Sequence, residues 1–502
     1  MGAAALSAGP DEPPGVGADR FDVLVALERA VGAAHVLTDA DLRAGYEVDW
    51  TGQHGGPALA VVRPGSTAEV AAVLVACGLA GVGVVPQGGN TGLVGGGVPG
   101  GGVPGGGVPG GGVPGGGVPG GGEVVVSMRR LDSIGAVDPL SAQVTVGAGV
   151  VLADLQRALE PSGLELGVDL AARDSATVGG LVATNAGGLR VLRHGTMRAQ
   201  VVGVEAVLAS GEVVSRLGGL AKDATGYDLG ALLVGSEGTL GVVTAARLRL
   251  VRRRPHRVAA LLAVASVADA VTVAARLRDA LDSLDTAELV AGPTLALVDR
   301  ERRLSPPFTP VPEAVLLVEC GGLHAAPVDA LAEAVAACDD LVLDAAVSSD
   351  EATRARLWRH REEITEALAT AGPPRKLDVS IPLEGLAAYA EEVVRRVHSL
   401  GIGATCHLFG HILDGNLHVN VLGVPAGREG IVDEVVLRLV AEVGGSIGAE
   451  HGVGRAKVDW LHLSRSPAEL AAFGAIKAAL DPAGTLNPGV LLPDLRSTAA
   501  RS

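Results

Sequence analysis

The stretch PQGGNTGLVGG, residues 86–96, follows a short valine-rich segment at 82–85 and sets the reading of the whole chain. Glycines at 88, 89 and 92 allow positive φ and let successive backbone N–H groups converge on an anion, which suits a pyrophosphate. No GKS or GKT follows, so this is not a Walker loop, and it is not a GxGxxG between strand and helix. Read alone, the same residues also describe a plain turn.

Outward from the loop, PALAVVRP (57–64) reads as a strand, STAEVAAVLVACGLAG (66–81) as a helix and VGVVP (82–86) as a second strand. This alternation runs from 58 to 252 and predicts one domain of mixed helices and strands after an N-terminal segment, 1–57. Arginines and a proline at 252–255 mark a boundary. Strand and helix patterns then define a second α+β domain at 253–400, in which VAALLAV (258–264) precedes a helix beginning near Ser266. The segment 401–495 carries two dense polar motifs, expected on loops and a helix, and 496–502 is a tail. Residues 95–119 are five tandem copies of GGGVP, followed by Gly120, Gly121 and Gly122. Such a repeat cannot build a packed core. It reads as one GGxVP turn expanded into a surface loop, 95–122, because closure entropy grows slowly with loop length.

Composition excludes several classes. Hydrophobic residues make up 48% and charged residues 19% of 502, a globular balance. The net charge of -16 argues against a nucleic-acid partner. Cys77, Cys320, Cys338 and Cys406 lie far apart without a CxxC, which suits a reducing compartment. The first fifteen residues lack the basic-then-apolar pattern of a signal peptide, and no clean membrane span is found, so the cytoplasm is the expected location. Positive charge is almost all arginine. The only lysines are Lys222, Lys376, Lys457 and Lys477, and a lysine retained against such a bias is a candidate for a role of its compact ammonium.

Three further motifs join the first: GGLVATNAGGLRVLRHG (179–195), KDATGYDL (222–229) and GSEGTLGVVT (235–244). In this order they resemble the FAD-binding domain of the p-cresol methylhydroxylase and vanillyl-alcohol oxidase superfamily. From about Asp49 to Pro493 the chain resembles D-2-hydroxyglutarate dehydrogenase and its relatives, D-lactate dehydrogenase and the FAD subunit of glycolate oxidase. The resemblance implies an α+β fold: a two-part FAD-binding domain, an α+β substrate or cap domain, and a C-terminal segment closing the flavin site. It implies that Pro86, Gly88, Gly89, Asn90, Thr91 and Gly92 wrap the pyrophosphate. Asp169, Leu170, Thr184, Asn185, Ala186 and Gly188 would line the cofactor, Gly241, Val242, Val243 and Thr244 the adenine side, and Asn487 would close the site. Asn90 stands where covalent members present a histidine, so non-covalent FAD is expected. His194 stands where relatives often carry tyrosine.

In HLFGHILDGNLHVNV (407–421), His411 and His418 are six residues apart in between, and AEHGVG (449–454) adds Glu450 beside His451. Two histidines and a carboxylate leave coordination positions open, as a catalytic metal site requires. Without the neighbouring DGN turn and Glu-His pair, two core histidines would serve equally. The resemblance matches His411, His418 and Glu450 to a divalent metal site, zinc by first choice, and Asn420 and His451 to substrate contacts. Leu413 departs from the Gly or Ala common in relatives. His451 suits a general base, since an unperturbed imidazole titrates near pH 6.5; the alternative is that it merely neighbours a ligand. In LWRHREEITEAL (357–368), Arg361 and Thr365 are expected four apart on one helix face, with Lys376 of PPRKLDVSIP (373–382) arriving from the next strand. A fork, a hydroxyl and an ammonium make a carboxylate clamp. The alternative pairs Arg361 with a helix glutamate on a solvated face.

The expected reaction is oxidation of a small D-2-hydroxy acid to the 2-oxo acid, hydride passing to flavin and the proton to His451. The substrate is a D-2-hydroxyglutarate-like acid or D-lactate, with a glycolate oxidase subunit as alternative. Electrons would leave to an electron-transfer flavoprotein, a quinone or another acceptor, and a homodimer stays open. A metal-dependent hydrolase would leave the glycine motifs unexplained, and so would a structural protein built on the repeat. Because one GGxVP turn suffices for the loop, deleting four of the five units is expected to leave FAD content and turnover unchanged. Loss of FAD on that deletion would give the repeat a cofactor role.

Overall fold

The computed structural model describes residues 16–100 and 122–494. Most of the GGGVP repeat and the tail 496–502 therefore lie outside the described residues. Two four-stranded sheets, with a short two-stranded pair of Leu164–Glu165 and Val251–Arg252, build the cofactor half among the described residues. One orders the strands Val36–Leu37, Ala58–Val62, Glu123–Ser127 and Gly83–Gln87, with the last three parallel. The other is antiparallel: Gln143–Gly147, Val242–Arg249, Val201–Val207 and Val213–Ser215. The helix Thr67–Leu79 starts where the Ser66 hydroxyl accepts the Glu69 N–H at 3.2 Å. It buries Val70, Val73, Leu74 and Cys77 in the shared core.

The N-terminal segment is not separate from this half. The helix Val16–Val31 sends Val23, Leu27 and Val31 into the same core, and Val36–Leu37 pairs with Val61 and Val62. The C-terminus also returns here. Leu486 bridges Val84 in parallel, and the Asn487 N–H donates to the Val84 carbonyl at 2.7 Å. Lys477 pins this return: its ammonium donates to Asp481 at 2.5 Å and to the carbonyls of Thr239 and Leu486 at 2.7 Å.

A single seven-stranded antiparallel sheet forms the other half. Its order is Val342–Val347, His256–Val264, Ala314–Gly322, Leu284–Ala291, Thr405–His411, Asn416–Leu422, Arg375–Ser380. It begins just past 252–255 and takes strands from both sides of residue 400, so the segment from 401 continues the substrate domain as one sheet. His256–Val264 is almost wholly apolar because both faces are buried. Val258, Ala260, Leu262 and Val264 enter one core; Ala259, Leu261 and Ala263 enter another. The helix Val267–Ala280 is capped by Ser266, as expected, and covers the first face. The helices Gly292–Arg302, Glu351–Glu362 and Ile364–Ala371 cover the second.

Two local expectations are corrected. The histidine motif lies on a β-hairpin rather than on loops: NLHVNVL alternates, with Leu417, Val419 and Val421 in the core and His418 and Asn420 on the opposite face. The helix carrying Arg361 is not continuous with that carrying Thr365; the two meet at Glu363. No described helix is long and apolar enough to cross a membrane.

Lys477→Met is expected to destabilise the cofactor half by about 3–5 kcal/mol in denaturant titration, because it strands the buried Asp481 carboxylate. Lys477→Met with Asp481→Leu should recover much of that loss, and no recovery would contradict this account.

Candidate active site

Cross-strand register assembles the polar face of the large sheet. Glu288 stands opposite His411, Asp378 opposite His418, and Lys376 opposite Asn420. Directly opposed residues share a face, so these six side chains meet on one side of the sheet. They continue the second-face core, where Phe409 packs. The hairpin turn depends on Gly415, whose φ is +70°; a Cβ there would collide with the Ile381 carbonyl. Leu413 turns into the core.

The two histidines are oriented alike. His411 Nδ1 bonds Glu288 at 2.5 Å, and His418 Nδ1 meets Asp378 at 3.2 Å. Their free Nε2 atoms each lie 3.7 Å from an oxygen of Glu450. These separations approach those of donors held about 2.0–2.2 Å from one ion. A carboxylate behind each imidazole is the usual support of a metal-ligating histidine. Asp378, His418, Glu450 and His451 also have ligand atoms within 4.8 Å of one another. Asp378 is nonetheless saturated by other donors: Asn416 Nδ2 at 2.7 Å, the N–H groups of Ala449, Glu450 and His451 at 3.2, 2.8 and 3.0 Å, and His418. It orients the site, and His411, His418 and Glu450 are the residues left to hold a metal. Burial opposes charge on His411, but Glu288 and Glu450 push its pKa up to about 10. Two carboxylates facing one imidazole make a site that favours a cation.

Arg361 pairs with Glu288, at 2.7 Å from its Nε, and not with a helix glutamate; its guanidinium lies 4.7 Å from the centre of the Phe409 ring. The Lys376 ammonium sits 4.6 Å from the centre of the Trp50 ring, and burial lowers its pKa. Trp50 is 58% exposed. His451 Nε2 is 3.5 Å from Glu450. Arg361, Thr365, Lys376, His411, His418, Asn420, Glu450 and His451 all line one cavity of about 720 Å³.

The same cavity reaches the glycine loop. Pro86, Gly88, Gly89, Asn90, Thr91 and Gly92 line it, with Leu170, Thr184, Ala186, Gly188, Gly241, Val242 and Val243. The loop fits a cofactor cradle. A Cβ on Gly88 would strike Thr177 Oγ1, and one on Gly89 the Ser175 carbonyl, whereas Gly92 has nothing within 4 Å. Asn90 adopts φ +56° and donates to the Val48 carbonyl at 2.9 Å. The buried Thr177 Oγ1 has no protein partner and packs behind Gly88 of the loop.

Four expected cofactor residues stand behind the wall instead. Asp169 pairs with Arg173 and Arg190. Asn185 accepts from Thr196 and the Arg198 N–H, both at 2.9 Å. Thr244 donates to Glu205, and Asn487 donates to the carbonyls of Gly96 and Glu237. KDATGYDL is exposed, and Asp228 caps the helix Leu229–Leu233. His194 is half-buried, and burial lowers its pKa to about 4. Sequence reasoning missed Glu288, Asp378 and Trp50. The available signal for the carboxylates was a lone acid inside an apolar strand, TAELVA and KLDVS.

Comparison with known proteins shows the family and the fold. The family described as FAD linked oxidases, C-terminal domain, matches residues 253–491, and the FAD binding domain family matches 108–216. The chain is 34% identical over 472 residues to D-2-hydroxyglutarate dehydrogenase, mitochondrial, of Danio rerio, covering 93% of this chain and 84% of that protein. It is 36% identical over 478 residues to D-2-hydroxyglutarate dehydrogenase of Xanthomonas citri pv. viticola, covering 93% and 96%. A crystal structure of p-cresol methylhydroxylase with substrate bound superposes with a TM-score of 0.71 at 16% identity, over 96% of this chain and 98% of that one, which shows a shared fold.

Glu288→Gln is expected to weaken metal binding about 10–100-fold, read as metal per chain after dialysis, with FAD content unchanged. His411→Ala should lose the metal outright and stay yellow. Full metal retention in both would remove these residues from the site.

Proposed function

This chain belongs to the D-2-hydroxyglutarate dehydrogenase family of FAD-linked oxidases, and from that premise we propose that it oxidises a D-2-hydroxy dicarboxylate, D-2-hydroxyglutarate, to the 2-oxo acid. The observation that carries this reading is one cavity lined both by the glycine loop and by His411, His418, Glu450 and His451. FAD, when bound, supplies the acceptor for the C2 hydride, and a divalent cation supplies positive charge beside the hydroxyl being deprotonated. Non-covalent FAD is favoured because Asn90 offers no nucleophilic ring nitrogen. Zinc is favoured by two imidazoles and one carboxylate, with manganese and cobalt close behind.

The chain's own residues do the rest. Arg361 and Lys376 bring two positive charges to the cavity wall and Thr365 a hydroxyl, enough to anchor carboxylates. Glu288 holds Arg361 by Nε and leaves the outer guanidinium nitrogens for the substrate. Asn420 presents an amide to the substrate's polar end. His451 takes the hydroxyl proton. Burial lowers its pKa, but Asp378 and Glu450 prevail and raise it. A divalent cation held by His411, His418 and Glu450 would offset the Glu450 charge and so favour the neutral, proton-accepting imidazole. An outside carrier, an electron-transfer flavoprotein or a quinone, is proposed to reoxidise the flavin, since the four cysteines are free thiols rather than a redox pair. Those free thiols also support a cytoplasmic location.

The test is a panel of D-2-hydroxyglutarate, D-lactate and glycolate with an artificial acceptor. D-2-hydroxyglutarate should give the highest kcat/KM; preference for glycolate would favour the glycolate oxidase reading. Lys376→Ala should raise KM about tenfold or more, as loss of a charged hydrogen bond worth roughly 1.5–3 kcal/mol. Arg361→Ala should lower kcat as well, because it also releases Glu288. Unchanged kinetics in both variants would overturn the clamp.

A further inference from the structure

The AEHGVG loop is gripped through its backbone from two sides. From the sheet, Asp378 Oδ2 accepts the N–H groups of Ala449, Glu450 and His451. From the cofactor half, Glu237 accepts the next ones along: Val453 N–H at Oε1, 2.8 Å, and Gly454 N–H at Oε2, 2.7 Å. Gly452, between the two grips, must be glycine. Its φ is +81°, and a Cβ there would lie 2.8 Å from Glu237 Oε1.

Glu237 is itself held rigidly. It sits in GSEGTLG with a left-handed φ of +51°. Its N–H donates to the Ala183 carbonyl at 2.8 Å, and its own carbonyl accepts from Asn487 Nδ2 at 2.7 Å. It lines the cavity beside Gly238 and Gly241. The residue therefore ties the cofactor helix Val178–Thr184, the C-terminal return and the catalytic loop to one point.

We propose that Glu237 is a positioning residue for the oxidation: by holding Val453 and Gly454 from the cofactor half, it sets His451 and Glu450 against the flavin side of the cavity. This rests on the proposed roles of His451 and Glu450. The chemistry requires a carboxylate. Two N–H groups approach two different oxygens, and a glutamine would accept one and turn its own N–H₂ toward the other. With that grip lost, Asp378 still holds the loop up to His451, and the imidazole lies at the edge of the held part.

The test uses the FAD- and metal-loaded enzyme and the variants Glu237→Gln and Glu237→Ala. Three quantities are read: FAD per chain, amide hydrogen exchange across 449–454, and flavin bleaching by D-2-hydroxyglutarate in stopped flow. FAD content should hold, exchange at Val453 and Gly454 should accelerate, and exchange at 449–451 should stay slow. The limiting bleaching rate should fall about tenfold for Gln and about 100-fold for Ala, as for a small misplacement of a reacting group. Substrate affinity should change little. Accelerated exchange with a wild-type limiting rate per bound flavin would overturn the inference. Unchanged exchange, or loss of FAD from Glu237→Gln, would overturn it too. If the wild-type flavin bleaches with no 2-hydroxy acid, the proposed function itself fails, and the exchange result still decides whether Glu237 grips the loop. Because Gln is isosteric, a folding failure of the Ala variant leaves the test intact.

Discussion

A buried carboxylate must have its acceptor positions filled or forfeit several kcal/mol, and at Asp378 that requirement shapes the catalytic centre. Its side chain is fully buried on the outermost strand of the seven-stranded sheet, where it draws in Asn416, His418 and three consecutive backbone N–H groups. Asn416 fixes the base of the hairpin, His418 is fixed in rotation, and the 449–451 backbone is bent over the sheet. The strand bearing Asp378, the hairpin and the 449–451 loop are separate stretches of the sequence. Lys457 reinforces the bend, its ammonium donating to the carbonyls of Asp378 and Ile447 at 3.0 and 2.6 Å. The low pKa of Asp378, held down against burial by His451 and His418, follows from the same crowd of donors.

Much of the molecule was legible because its chemistry is concentrated in short runs. Read alone, the glycine loop was also a plain turn and the histidines also core residues; the order of several such motifs, and the resemblance they carry, made the loop, the histidines, Glu450 and Arg361 legible. The scarcity of lysine was informative in the same way: Lys457 and Lys477 are buried three-dimensional staples between chain segments, which an arginine's wider fork would not fit as compactly. The supports were harder to read. Glu288 and Asp378 act through cross-strand neighbours more than thirty residues away, and the local signal, a lone acid in an apolar strand, does not say which side chain it faces. NLHVNVL did carry the alternation of a half-buried strand, but the density of polar residues drew attention to loops. Thr365 lies across a helix junction at Glu363, where Glu363 is committed to Arg302 and Arg359.

The two halves depend on each other at several points. Arg193, from the GGLVATNAGGLRVLRHG motif, donates to the Leu284 carbonyl at 2.9 Å and pairs with Asp285 of the large sheet. Asp285 shares Arg257 with Glu319, which also accepts from Arg354 and the Trp358 indole. Trp358 in turn lines the cavity. A chain of buried ion pairs thus links the cofactor motif to the helix bearing Arg361. Coupling of this kind gives a reason for charged side chains to persist in a core otherwise packed with valine, alanine and leucine.

The hairpin between His411 and His418 has a consequence for how such a site can fail. Its strand faces are fixed by parity: a slip of one residue would turn Leu417, Val419 and Val421 out of the core. The smallest slip that respects the core is two residues, about 7 Å along the strand. That distance carries His418 wholly out of reach of His411. The intermediate register empties the core of those side chains, so the donor set is quantised: either complete or without His418 in any one molecule. A population weakened in this turn would be a mixture of competent and incompetent molecules, and its average affinity would describe neither.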